Sequence, residues 1–150
     1  MGRRPAFRRS HFTGAGDFTG RAGDTALLYP SGLKVKRVLL VGLGTVADLA
    51  PGRMLLAAAA AARRARELGA GSLALVLSER AEAEPALLRA VGEGLVLGHH
   101  RHTAYVSGGG KAPLAKTELL SLHAPSPAAR AALAAGVERG EAVSLARDLA

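Results

Sequence analysis

The chain has no cysteine and no tryptophan, and aromatic residues make up only 3% of its 150 residues. Without cysteine there can be no disulfide framework, thiolate zinc site or thiol catalysis. A core with so few rings must be built from alanine, leucine and valine, since apolar residues make up 49% of the chain. We therefore expect one domain with an aliphatic core, in the reducing cytoplasm where cysteine pairs are not needed.

Long apolar runs are also missing, and no segment approaches the length that spans a bilayer. The N-terminus is rich in arginine, but no apolar region follows it, so it does not resemble a secretory signal. We therefore predict neither membrane insertion nor secretion. Residues 1–15 have no periodicity and are predicted to be a basic, disordered arm in front of a single domain at 16–150.

Positive charge is concentrated near the N-terminus. The net charge is +8, and residues 1–37 hold eight basic and two acidic side chains. Such a region attracts polyanions, so one hypothesis is that the chain is a nucleic-acid-binding module. Arg21 would contribute to it in addition to the candidate contacts named below. The simpler alternative is that the positive charge reflects a GC-rich genome, since arginine outnumbers lysine sixteen to four in a chain rich in alanine, glycine and leucine. The candidate polyanion contacts are Arg3, Arg4, Arg8, Arg9, Lys34, Lys36 and Arg37.

Hydrophobic patterning predicts strands that alternate with helices. A proline stands at the first position of each predicted helix, at Pro51, Pro85 and Pro127, and Gly69 and Gly98 end the first two. A Pro-Ser-Gly turn joins the first two strands into a hairpin. These patterns indicate an α/β fold with a largely parallel sheet. The predicted strands are 25–29, 37–41, 72–77 and 117–123, and the predicted helices are 51–68, 85–98 and 127–149, the last with Ser126 as its cap.

Two glycine-rich segments suggest phosphate binding. Residues 42–47 match the G-x-G-x-x-A pattern of dinucleotide folds, in which the helix would begin at Gly44. Because Pro51 predicts a later helix start, we interpret the segment as a glycine turn that closes a buried strand. Residues 108–111 read Gly-Gly-Gly-Lys but lack the spacing of a P-loop, so a flexible loop is predicted there.

Histidines and arginines cluster at two predicted helix ends. His99, His100 and His102 could attract a metal, but no acidic neighbour supports them, so exposed loop histidines are predicted. No serine lies in a G-x-S-x-G elbow and no carboxylate pair stands out, so we assign no catalytic residue. Three arginines are predicted to form a solvated helix end, partly paired with Glu67: Arg63, Arg64 and Arg66.

Five segments of the chain carry a resemblance to a known family: 16–20 with 23–29, 36–44, 58–69, 93–98 and 140–149. In this order, they resemble the N-terminal domain of the leucyl aminopeptidase (cytosol aminopeptidase) family. The resemblance covers roughly residues 16–149. It implies a macro-domain-like three-layer α/β/α sandwich with a mixed, mostly parallel sheet. It also implies a non-catalytic scaffold or assembly domain of an enzyme that removes N-terminal residues from peptides.

The resemblance also implies cofactors and partners. In the family, two divalent cations, zinc or manganese, belong to the C-terminal catalytic domain, and none of its catalytic or metal-binding residues maps onto this chain. The implied partners are that catalytic domain or further copies, since family enzymes are typically hexamers, and DNA for some bacterial members. By fold analogy alone, an ADP-ribose-type nucleotide at the 42–44 and 108–110 loops is a further alternative.

One departure from the family pattern concerns the N-terminus. Family domains begin with a further strand and helix, where this chain has its arginine-rich segment. A missing strand would expose a sheet edge or an apolar face, which favours pairing with another chain. We therefore predict that the chain dimerises in isolation, and a monomeric sedimentation profile at micromolar concentrations would contradict this.

Overall fold

A computed structural model of the chain describes residues 18–32, 34–77, 81, 83–100, 119–121 and 126–149, with 119–121 described by backbone alone. The predicted arm at 1–15 and the loop at 108–111 lie outside these residues. All seven predicted elements are present, and a short 3-10 turn, Val46–Asp48, precedes the first helix. In order, the elements are β1 (Thr25–Leu28), β2 (Val38–Val41), α1 (Pro51–Glu67), β3 (Leu73–Leu75), α2 (Pro85–His99), β4 (Leu119–Ser121) and α3 (Pro127–Leu149).

The four described strands form two separate pairs. β1 and β2 are antiparallel, with Thr25 opposite Val41 and Leu28 opposite Val38, which confirms the predicted hairpin. β3 and β4 are parallel, with Leu73 opposite Leu119. Parallel strands require a crossover connection, and α2 lies in the segment that joins these two. The α/β class and its combination of a hairpin with a parallel pair are therefore confirmed.

The three helices lie side by side, with α2 in the middle. The backbone of α2 approaches α1 at Gly94, beside Leu55, and again at Gly98, beside Ala59. The contacts advance in the same direction along both helices, so α1 and α2 are parallel. The α2–α3 contacts show the same order, because Gly136 lies against Arg89 and Gly140 against Glu93. All three helices therefore run in the same direction.

The core lies between this helical layer and β3. Leu87 and Val91 of α2 are fully buried, together with Met54 and the alanines of α1 that face them. Leu73 and Leu75 of β3 pack against this cluster from the strand side. Every buried core side chain among the described residues is aliphatic or methionine, as the composition predicts.

The opposite face of β3 is exposed: Ala74 points away from the helices and Val76, just beyond the strand, is 66% exposed. The helices described all pack from the Leu73 side. The described helices and strands therefore make up two layers, one of each, and the third layer of the predicted sandwich stays a prediction. None of the described helices combines the length and apolar character needed to cross a membrane.

Candidate functional site

A carboxylate organises the glycine-rich loop in front of β1. One oxygen of Asp24, Oδ2, accepts a hydrogen bond from the hydroxyl of Thr19 at 2.6 Å. The same oxygen accepts the backbone N–H of Thr19 at 3.3 Å and that of Arg21 at 3.2 Å. These hydrogen bonds, that of the Thr19 hydroxyl foremost, lower the pKa of Asp24 below its usual value. The ionised carboxylate of Asp24 therefore holds the loop together by accepting these hydrogen bonds.

The glycines after β2 are used for packing against that loop. The N–H of Gly42 donates to the carbonyl of Asp24 at 2.8 Å, and that of Gly44 donates to Gly20 at 2.9 Å. Gly42 is buried against the carbonyl of Arg21, so that a Cβ would overlap it. Neither amide is available to a phosphate, and α1 begins only at Pro51. The segment 42–44 therefore closes a strand, as interpreted, but β2 is half-buried along its length and not buried as predicted.

A small polar cluster leads into α1. The hydroxyl of Thr45 donates to Oδ2 of Asp48 at 2.7 Å, and a guanidinium nitrogen of Arg53 lies 3.8 Å from the same oxygen. Both charged side chains of this ion pair are about half exposed. An exposed ion pair of this kind contributes little free energy, so its role is to fix the path of the chain before the helix.

Arg66 is not part of a solvated helix end, and this expectation was wrong. Its guanidinium Nη1 reaches the last turn of α2 and lies within hydrogen-bonding distance of the carbonyls of Gly98, His99 and His100, at 3.2, 2.8 and 3.0 Å. These are carbonyls that a helix end leaves without partners, and a cation there also opposes the negative end of the helix dipole. Arg64, in contrast, pairs with Glu67 at 2.9 Å as predicted.

The histidines at the C-terminal end of α2 are also less exposed than predicted. The side chain of His100 is only 17% exposed, and its Nε2 lies 3.2 Å from Oδ1 of Asp148 on α3. His100 therefore does have an acidic neighbour, which the sequence conceals because 47 residues separate the two. Burial, with the nearby charge of Arg66, lowers the pKa of His99. His102 lies outside the described residues.

Three of the candidate polyanion contacts lie in the turn between β1 and β2. Lys34 and Lys36 are exposed there, as a phosphate contact requires. Arg37 is exposed too, but its Nη1 donates to the carbonyl of Leu68 at 2.7 Å and so ties the hairpin to the end of α1. Arg3, Arg4, Arg8 and Arg9 lie outside the described residues. Binding of nucleic acid by this set stays a prediction.

No metal centre can be built from the part of the chain that the structure describes, since it contains no group of three or more histidine, aspartate or glutamate side chains placed to hold an ion. The His100–Asp148 pair supplies two potential ligands, fewer than the three or four protein ligands of zinc sites. Asp24 holds the loop before β1 and Arg66 holds the end of α2, each through hydrogen bonds within the chain, so both act as structural groups.

The sequences of known proteins that match this chain point to one family. Residues 12–108 match the sequence model of the cytosol aminopeptidase family, N-terminal domain. The probable cytosol aminopeptidase of Roseiflexus castenholzii is 40% identical over an alignment of 141 residues, and the match covers 90% of this chain and 29% of that protein. Its counterpart in Geobacter sp. is 37% identical over 89% of this chain and 28% of its own length. The chain thus spans less than a third of these relatives.

Solved structures give the same relationship in three dimensions. The bottromycin maturation enzyme BotP superimposes with a TM-score of 0.69 and 33% sequence identity. The match covers 99% of this chain and 30% of that enzyme. A structure of BotP in complex with Mn matches with a TM-score of 0.67 and 32% identity. In both comparisons the matched region is nearly the whole of the present chain.

Proposed function

Because the chain belongs to the cytosol aminopeptidase family and corresponds to its N-terminal domain, we propose that it is a non-catalytic scaffold for a metal-dependent aminopeptidase. The observation that carries the proposal is the extent of the match. Nearly the whole chain aligns with relatives, yet it spans only 29% of the Roseiflexus protein. The family model that it matches is that of an N-terminal domain. The part that hydrolyses peptides then belongs to the remaining sequence of such enzymes.

The physical contribution of this domain is rigidity. A layer of three parallel helices, packed through glycine and alanine contacts and tied at one end by Arg66, is a stiff support for a neighbouring domain. We propose that the metal ions, zinc or manganese, bind to the catalytic part, for which the manganese complex of BotP gives support. The name of the relatives supports a cytoplasmic location.

The proposal is tested by separating the scaffold from catalysis. Purified 150-residue chain with added Mn²⁺ or Zn²⁺ should give no hydrolysis of leucyl-anilide. A chimera in which this chain replaces the aligned segment of the Roseiflexus relative should hydrolyse the same compound. Turnover by the purified chain that persists through further purification would contradict a non-catalytic role, and an inactive but folded chimera would contradict a scaffold role.

A further inference from the structure

α3 has two apolar sides, and among the described residues one of them packs on α2 while the other is exposed. Its inner side packs on α2 through Ala129, Ala132 and Gly136. On the opposite side, six exposed positions recur at alternating spacings of four and three residues, the spacing of the apolar seam of a coiled coil. Five of the six are alanine or leucine. This outer stripe consists of Ala131, Ala135, Glu138, Ala142, Leu145 and Leu149.

Such a stripe is unusual on a helix that faces water. A surface helix normally combines one apolar stripe with charged residues on its opposite face, and large apolar patches on a protein surface indicate interaction sites. Here Leu145 is 61% exposed and Leu149 is 81% exposed. They lie one helical turn apart, so that both can enter one groove of a partner.

We propose that the outer stripe of α3 is the surface on which the catalytic part of a cytosol aminopeptidase docks. This rests on the proposed function. More than two thirds of the Roseiflexus relative lies outside its match to this chain, and the matched region is the N-terminal domain of the family. In such enzymes the catalytic part therefore follows, and elements that follow one another along a chain are usually neighbours in space. α3 is the last element described.

The size of the stripe favours this occupant over a second copy. Six positions from 131 to 149 extend over about 27 Å of helix. One helix pair of this length buries several hundred Å², roughly half of what a stable complex of free proteins needs. A domain on the same chain needs less, because covalent linkage gives a high effective concentration.

The absence of cysteine makes the proposal testable by thiol labelling. Leu145→Cys places a thiol in the outer stripe, and Leu56→Cys places a control thiol on α1, where the leucine is similarly exposed at 68%. Each is made in the 150-residue chain and in the chimera with the Roseiflexus catalytic part. Labelling is read by mass spectrometry of the peptide that contains the thiol. We expect labelling at 145 to be about tenfold or more slower in the chimera, with no change at 56.

The remaining outcomes would overturn the proposal. Equal labelling at 145 in both proteins would show that the stripe is not covered. Slow labelling in the 150-residue chain that depends on its concentration would assign the stripe to a second copy. If the chimera does not fold, the intact Roseiflexus enzyme is used in its place, with cysteines at the positions aligned with 145 and 56. Fast labelling at both positions of that enzyme would also contradict the proposal. Hydrolysis of leucyl-anilide is recorded separately, so a failure of the proposed function is distinguished from a failure of docking.

Discussion

The helical layer and the loop before β1 both depend on glycine, but for different physical reasons. In the layer, Gly94 and Gly98 adopt ordinary helical backbone, and the backbone of α1 occupies the space that a side chain would need. In the loop, Gly20 and Gly23 have open space around them and positive φ angles of 80° and 90°. One region therefore requires glycine for close approach, and the other for a backbone conformation.

This difference indicates how each region responds to change. Overlap between helices can be relieved only if the helices move apart, which affects the core that contains Leu87 and Val91. Strain in an exposed turn stays local, because few other groups depend on its position. We therefore expect the same substitution to lower the free energy of unfolding by different amounts in the two regions. Asparagine, which tolerates positive φ, should be better than alanine in the loop and worse than alanine in the helical layer.

Among the alanine substitutions, the largest effect is expected for Gly98→Ala. The new methyl group would overlap the carbonyl of Ala59 and approach its carbonyl carbon to 2.7 Å. Overpacking of this kind lowers the free energy of unfolding by about 1–3 kcal/mol. Urea unfolding followed by circular dichroism measures the change.

Gly52→Ala is the matched control for the helical layer. Gly52 lies in the first turn of α1, with no atom near the position that a Cβ would take and no positive φ. Alanine there should raise stability by about 0.5 kcal/mol, since it is the better helix former. If both substitutions have the same effect, close approach between α1 and α2 does not account for Gly98.

A smaller effect is expected for Gly23→Ala. Gly23 is the third residue of a β-turn closed by the N–H of Asp24 and the carbonyl of Arg21, at 3.0 Å. This position needs a positive φ, as in type II turns. Alanine should lower the free energy of unfolding by about 1 kcal/mol. Gly23→Asn should recover part of the loss, because asparagine tolerates positive φ.

The same asparagine test at position 98 sharpens the comparison. Gly98→Asn should be worse than Gly98→Ala, because the larger side chain increases the overlap with Ala59. Urea unfolding of the alanine and asparagine variants at positions 98 and 23 shows which of the two is the more stable at each position. An asparagine variant that is more stable than the alanine variant at both positions would mean that conformation, and not space, explains both glycines.

Local signals in the sequence were sufficient to predict the elements. Pro51, Pro85 and Pro127 begin the three helices as predicted, because the fixed φ and missing N–H of proline suit that position. The hairpin was equally predictable from its turn residues. The role of Gly92 and Gly94 could not be decided in advance, since a glycine within a helix either weakens it or permits close packing, and only the position of the neighbouring helix decides between the two.

The polar contacts divide in the same way. Asp24 bonds to Thr19 and Arg21, a local pattern typical of aspartate in loops, so the sequence could have revealed it. Arg66 bonds to carbonyls that are 32 to 34 residues away. Its role and the proximity of His100 to Asp148 depend on how the helices pack. Neither contact has a local signature, so local patterns predict that Arg66 and His100 face solvent.

The smallest effect, and the one confined to the loop, is expected from Asp24→Asn. The pKa of Asp24 is lower in the folded chain than its usual value, because the charged form accepts the hydrogen bond of Thr19 most of all. A lowered pKa gives stability that is present above the unfolded value of about 3.9 and is lost as the pH falls through the folded pKa. The asparagine variant should therefore be less stable than the parent at pH 7, and the difference should disappear in acid.

Unfolding midpoints in urea at several values between pH 7 and pH 3 measure this difference. Thr19→Val is the control, since it removes the largest cause of the shift while leaving the carboxylate in place. The pKa of Asp24, followed by NMR of its side-chain carboxyl, should then rise toward its usual value. A stability difference between Asp24→Asn and the parent that is the same at every pH would show that the charge of Asp24 contributes nothing. The loop would then be held, as the helical layer is, by contacts that do not depend on ionisation.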